Sequence, residues 1–296
     1  MVRRSVLAVV AILTMVLGTM VAATSSGAIL VARSLPSGDS MFAIQCGGTP
    51  GQLNSVDSVT AAFTPIGSSQ NIDGSTCGYG MAYNPITLKS YVLAGNNSSG
   101  EWPIVEVDLT SGAQTEISRI MINGSAATGY PAVMTFDASG NAYAIVQNNF
   151  YALDISTGNA TLRGAVGTVS DIYAMTMNPR DEVVYAMGEG GELVSIDVAT
   201  GAGTSIVDLQ LFSGVYSLQF DSNGIGWLNV GVNSSNAISS FDLTNPQATL
   251  VDSSADATHY SGAYLIVWSV PPTPPSSTTT STTTSSSTPV VPAFTG

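Results

Sequence analysis

Asp57, Asp108, Asp154, Asp197 and Asp242 are the first residues of this chain that invite a chemical reading. Carboxylates recurring beside Ser, Thr, Asn and Gly are the raw material of a calcium loop. Calcium, however, takes six to eight oxygen ligands, and each of these short segments falls below that number. The pattern D-x-x-T-G, complete in DISTG at 154–158 and DVATG at 197–201, suits a tight turn instead. There the carboxylate accepts nearby backbone N–H groups and the glycine takes the left-handed conformation. The five aspartates are expected to be structural, with no metal and no other cofactor.

The remaining chemical residues are few. His259 is the only histidine, and no spaced set of Cys, His or carboxylate ligands surrounds it. A Ser–His–Asp hydrolase would need a nucleophile context such as G-x-S-x-G, which is absent from the sequence. The two cysteines, Cys46 and Cys77, form no CxxC redox motif.

The elements that would position these residues follow from the aspartates themselves. Their spacings are 51, 46, 43 and 45 residues, a period that signals a solenoid or a propeller. Within each period, short runs alternate apolar and polar residues between Gly, Asn, Asp or Pro, which argues for strands. The cleanest unit reads IYAMTMN (172–178), VVYAMG (183–188), ELVSIDV (192–198) and GTSIVDL (203–209). These are four strands, here called a to d from the axis outward, the content of one propeller blade. The last period ends on an a strand, SGAYLIVW (261–268), without its b partner. The first begins on a b strand, SMFAIQC (40–46), without its a partner. Together the two ends complete one blade, and the expected fold is all-β: a five-bladed β-propeller of four-stranded blades over residues 39–270, closed by a C-terminal strand joining three N-terminal ones. An open array of β-repeats is the alternative.

The segment YAMTMNPRDEVVYAMGEGGELVSIDVATGAGTSI resembles secreted bacterial β-propellers of the broad NHL, YVTN and quinoprotein-like group. It is most similar to domain-of-unknown-function families built on L-Y-x-I-D-x-x-T-G. The resemblance covers residues 39–270, and its motifs specify turns and core strands. It therefore implies the fold and no site.

This topology places Cys46 at the end of a b strand and Cys77 at the start of the next a strand, on one face of the ring. A Cys46–Cys77 disulfide fits that placement and an oxidising compartment. Five-bladed glycoside hydrolases need paired carboxylates at the axis, and among the strand entrances here only Asp171 is acidic. The chain is read as a non-enzyme. The a–b and c–d connections are tight, whereas several d–a and b–c connections are long, including residues 68–77, 96–102, 119–130 and 253–261. Long loops on a rigid scaffold are where binding surfaces are made. They bring Trp102, Tyr130 and Tyr260 toward one face with Asp73, Asp171 and His259. Aromatic rings stack on sugars and the polar groups hydrogen-bond hydroxyls; the rival reading has the rings capping the core.

Composition bounds the partners. A net charge of −13, with 9% charged residues, argues against nucleic acid, which needs clustered Lys and Arg. Arg3 and Arg4, a long apolar run and Val21-Ala22-Ala23 read as a signal peptide over 1–23, with an uncleaved anchor as the alternative. Residues 24–38 are a leader. Residues 271–296, opening with PPTPPSSTTTSTTTSSSTP, read as a disordered Ser/Thr/Pro stalk. Its final PVVPAFTG weakly resembles the start of a cell-wall sorting signal. Membrane contact is expected only through such a terminal anchor. The expected role is extracellular or cell-surface recognition of a glycan or envelope polymer, or of a surface protein.

Overall fold

The computed structural model describes residues 34–45, 51–70, 77–95, 100–129, 132–167, 169–211, 214–232, 235–253 and 261–267. All regular structure among these residues is β. The first three strands are β1 (Ser40–Gln45), β2 (Leu53–Val56) and β3 (Phe63–Ile66). A second group comprises β4 (Cys77–Asn84), β5 (Lys89–Gly95), β6 (Pro103–Val107) and β7 (Gln114–Arg119). A small hairpin follows, β8 (Met121–Ile122) and β9 (Ser125–Ala126). The third group is β10 (Ala132–Phe136), β11 (Ala142–Val146), β12 (Asn149–Leu153) and β13 (Asn159–Ala165). The fourth is β14 (Ile172–Met177), β15 (Val184–Gly188), β16 (Glu192–Ile196) and β17 (Gly203–Asp208). The fifth is β18 (Val215–Phe220), β19 (Ile225–Val232), β20 (Ser235–Asp242) and β21 (Asn245–Ser253), and β22 (Ser261–Val267) ends the series.

Each group is an antiparallel sheet in chain order, and β22 pairs with β1 to give the order β22-β1-β2-β3. The innermost strands touch in the cycle β4, β10, β14, β18, β22 and back to β4. This is a five-bladed propeller, sealed by the pairing read from the sequence. Inner strands are buried on both faces, as in AYAIV of β11 and VYAMG of β15, because each blade is sandwiched between two others. The d strands β13 and β17 are mostly exposed. Apolar side chains fill the gaps between blades: Ile44, Leu53 and Val105 between the first two, Leu93, Ile104 and Phe136 between the next. Met187, Phe220 and Phe241 pack between the fourth and fifth.

The blades also lock at the rim. At three junctions the end of one d strand abuts the next blade's c–d turn. A Cβ on Gly112 would lie 2.3 Å from the Ile66 carbonyl oxygen, and one on Gly158 only 1.7 Å from that of Arg119. At the third junction the Gly203 N–H donates to the Val166 carbonyl (2.9 Å). The glycine of the repeat thus supplies a positive φ, +76° at Gly158, and close backbone approach between blades. In the first blade Ala61 occupies this turn position at φ +55°.

Residues 119–130, read above as a plain loop, contain the β8–β9 hairpin. Asn123 and Gly124 form its turn with φ +53° and +77°, the dihedrals that a two-residue hairpin turn requires. Strand β8 pairs in parallel with β13 and covers part of an otherwise open sheet edge. No helix among the described residues is long and apolar enough to cross a membrane.

Candidate functional site

At the end of the molecule carrying the a–b and c–d connections, every named aspartate is engaged within its own turn. Asp57 accepts from the N–H groups of Val59 and Thr60 (2.8 and 2.9 Å), and Asp108 from those of Thr110 and Ser111. Asp154 accepts from Ser156 N–H and Oγ, and its other oxygen from Thr157 Oγ1 (2.8 Å). Asp197 is bonded by Ala199 N–H and Thr200 Oγ1. Asp242 accepts from Thr244 N–H and Oγ1 in a shorter turn, where Asp242 pairs directly with Asn245. Donors aimed at an ionised oxygen favour the charged form. The N–H of Thr60 holds Asp57 below the ordinary range, the N–H of Thr110 does so for Asp108, the Ser156 hydroxyl for Asp154 and the Ala199 N–H for Asp197.

A second set of carboxylates clips the a–b turns to aromatic residues on b strands, a device the sequence did not announce. Tyr143 donates to Asp137 (3.1 Å), Tyr185 to Asp181 (2.9 Å) and Trp227 Nε1–H to Asp221 (3.0 Å). Burial, then the facing carboxylate, pushes the Tyr143 phenol up to about 12 and raises Tyr185 further. Asp221 is itself buried, and burial raises its carboxyl above the ordinary range.

The axis is bridged by side chains. Thr176 Oγ1 donates to Gln219 Oε1 (3.4 Å), and Gln219 Nε2 donates to the Met81 carbonyl (3.1 Å). Strands β18 and β4 are not neighbours in the ring, so the second bond crosses the axis. At the same level β4 and β10 approach closely: a Cβ on Gly80 would lie 3.2 Å from the Met134 nitrogen.

At the opposite end, Trp102 immediately precedes β6 and is 4% exposed. Its Nε1–H donates to the Gly129 carbonyl (2.7 Å), and its ring meets Tyr79 edge-on at 5.5 Å. It packs as a core residue. Asp171 is exposed at the start of β14, with φ +52°, and its carbonyl accepts from Glu189 N–H (3.1 Å). Beside it opens a cavity of about 420 Å³ lined by Val169, Ser170, Glu189, Glu192 and Asp208. Asp171 is therefore one of four carboxylates around this cavity, where the strand entrances alone suggested one. They come from the ends of β15 and β17 and the starts of β14 and β16, which the antiparallel order of the blade sets side by side at one end of the sheet. Among the described residues no three His, Cys, Asp or Glu side chains are placed to share a metal ion. Asp73, Tyr130, His259 and Tyr260 lie outside the described residues, as does the Cys46–Cys77 pairing.

No family model and no curated protein sequence matches this chain. Solved structures do. A chain of a nidogen/laminin complex superimposes with a TM-score of 0.52 at 10% identity, covering 78% of this chain and 99% of that one. TolB from Acinetobacter baumannii gives 0.45 at 13% identity, covering 79% and 68% of the two chains. Virginiamycin B lyase from Staphylococcus aureus gives 0.41 at 13%, covering 66% and 61%. At these identities the likeness is one of fold: the chain is a β-propeller, and its resemblance to particular repeat families rests on the repeat motif.

Proposed function

We propose that this protein is an exported, noncatalytic recognition module that binds a glycan or envelope polymer through its d–a and b–c end. One observation carries this: that end holds an open, hydrogen-bonding cavity on a rigid ring, while the axis is bridged by Gln219. Clustered carboxylates accept hydrogen bonds from sugar hydroxyls, and the scaffold keeps them in place without an ordering penalty. A second reading has its own support. Four carboxylates in a chain of net charge −13 would steer a basic protein surface toward the same end.

The test is a glycan and cell-wall-polymer array probed with the purified full chain, with calcium and with chelator. Saturable binding to one polymer class, weakened by Asp171→Ala or Glu192→Gln, supports polymer recognition. Folded protein that binds no polymer but captures a basic surface protein, again dependent on Asp171, supports the second reading. Release of product from any bound polymer overturns the noncatalytic assignment. Trp102→Ala is a poor probe, because that ring is core.

A further inference from the structure

The larger of the two cavities described lies at the other end of the molecule, on the third blade. It measures about 570 Å³, within the range of small-molecule sites. Asn141, Asn159, Thr161 and Arg163 line it together with Leu153 and Asp154. Arg163 is the unusual member. Lys89 is paired with Glu106 (2.9 Å), Arg119 with Glu116 (2.8 Å) and with Glu101, and Arg180 donates to the Asn223 carbonyl (3.1 Å). The Arg163 guanidinium makes no hydrogen bond or ion pair among the described residues, although the chain holds 20 acidic residues against seven basic ones. Its planar fork is left to meet something from outside.

We infer that this cavity binds a monoanionic, hydroxyl-rich ligand, a hexuronate unit, with Arg163 gripping the carboxylate. Arg163 presents two parallel N–H donors, the geometry that a carboxylate accepts best. Thr161 offers a hydroxyl. Asn141 donates its amide N–H to Asp137 (2.8 Å), which leaves its carbonyl oxygen as an acceptor for a sugar hydroxyl. Leu153 and its neighbours Ala152 and Ile155 supply an apolar floor for the C–H face of the ring. Asp154 sets the charge preference. Both its oxygens are bonded within the turn, yet its negative charge remains, so Asp154 and Arg163 already cancel and a dianionic phosphate meets more repulsion there than a single carboxylate does. At the cavity edge the exposed Ile86 side chain stands over Gly140, where a Cβ would lie 3.1 Å from Ile86 Cγ1. This shelf suits an adjoining sugar unit, so oligomers bind more tightly than the free sugar. The site is independent of the loop-face reading above.

The experiment is a calorimetric titration of the full chain with glucuronate and galacturonate, with glucose, galactose and inorganic phosphate as controls, and with a galacturonate trimer. Uronates are expected to bind at least about tenfold more tightly than neutral sugars, the scale of one charge-assisted hydrogen-bonded contact. Arg163→Ala should abolish that difference, and Arg163→Lys should restore only part of it, because the charge returns without the fork. Arg163 is exposed, so the melting temperature of both variants should match the parent. Ile86→Ser should remove the advantage of the trimer and leave the monomer unchanged; equal loss for both would mean that the shelf belongs to the primary site. Equal affinity for uronate and neutral sugar, phosphate binding as tightly as uronate, or uronate binding untouched by Arg163→Ala would each overturn the proposal. Asp171→Ala must leave uronate binding unchanged. Loss there with Arg163→Ala silent would place the ligand at the loop face instead.

Discussion

Replacing Gly158 by alanine should destabilise the ring far more than a left-handed glycine in a free turn would. Two effects act at Gly158. The first is conformational: holding alanine at φ +76° costs about 1 kcal/mol. The second is contact. The new Cβ would lie 1.7 Å from the Arg119 carbonyl oxygen, against about 3.4 Å for ordinary contact, so turn and strand must part by about 1.7 Å. That movement breaks the hydrogen bonds from Met121 N–H to the Gly158 carbonyl (2.8 Å) and from Ser118 Oγ to the Ile155 carbonyl (2.7 Å). At about 1 kcal/mol each, the total comes to roughly 3 kcal/mol. Gly124 provides the control, with φ +77° and nothing within 4 Å of its Cβ. Gly124→Ala therefore carries only the conformational cost, about 1 kcal/mol. The reduced entropy of the unfolded chain stabilises both variants equally and drops out of the comparison. At 2–4 °C per kcal/mol for a domain of this size, calorimetry should show roughly 6–12 °C lost for Gly158→Ala and about 2–4 °C for Gly124→Ala. Equal losses would refute the idea that the motif glycine is an inter-blade contact.

Three further outcomes follow from the same structure. Gln219→Leu removes the donor to the buried Met81 carbonyl and should cost about 1–3 kcal/mol, read as a lowered urea midpoint with an unchanged slope. On acidification, the depressed carboxyls of Asp57, Asp108, Asp154 and Asp197 contribute stability that is complete above the unfolded value near pH 3.9 and is lost as pH falls through their folded values. Asp197→Asn should flatten this acid limb, whereas removing Asp221, whose carboxyl is raised by burial, should not. Deleting residues 271–296 should leave the melting temperature unchanged, while deleting 261–296 removes β22, opens the β1 edge and should abolish cooperative unfolding.

How much of this was legible depended on whether a feature is local in the chain. The blade count and the closure were, because each depends on strands a few residues long and on turns whose side chain and glycine are neighbours in sequence. The Asn123-Gly124 hairpin was equally local and carried its signal, but a fixed four-strand repeat leaves no place for it. Trp102 is open to two readings from the sequence, a ring on the long-loop face or a ring capping the core. In the structure it is the first residue before β6, and the Gly129 carbonyl, 27 residues on, draws its indole inward. Nothing near Trp102 in the sequence points to that partner.

The chemical residues show the same limit from the other side. Asp171, Glu189, Glu192 and Asp208 belong to four different strand ends, and Asn141, Asp154 and Arg163 to three connections or strands of another blade. Apart from Asp154, which belongs to the repeated turn, no period links them, because the repeat is set by the turn and rim contacts that every blade must make. A residue at a strand end meets no such requirement, so its type is decided by whatever lies beyond the ring. The repeated letters therefore describe how the blades hold together, and the irregular ones are where the ligands of this propeller should be sought. Arg163, which makes no ion pair among the described residues of an acidic chain and sits at the register shift of β13, is the clearest of them.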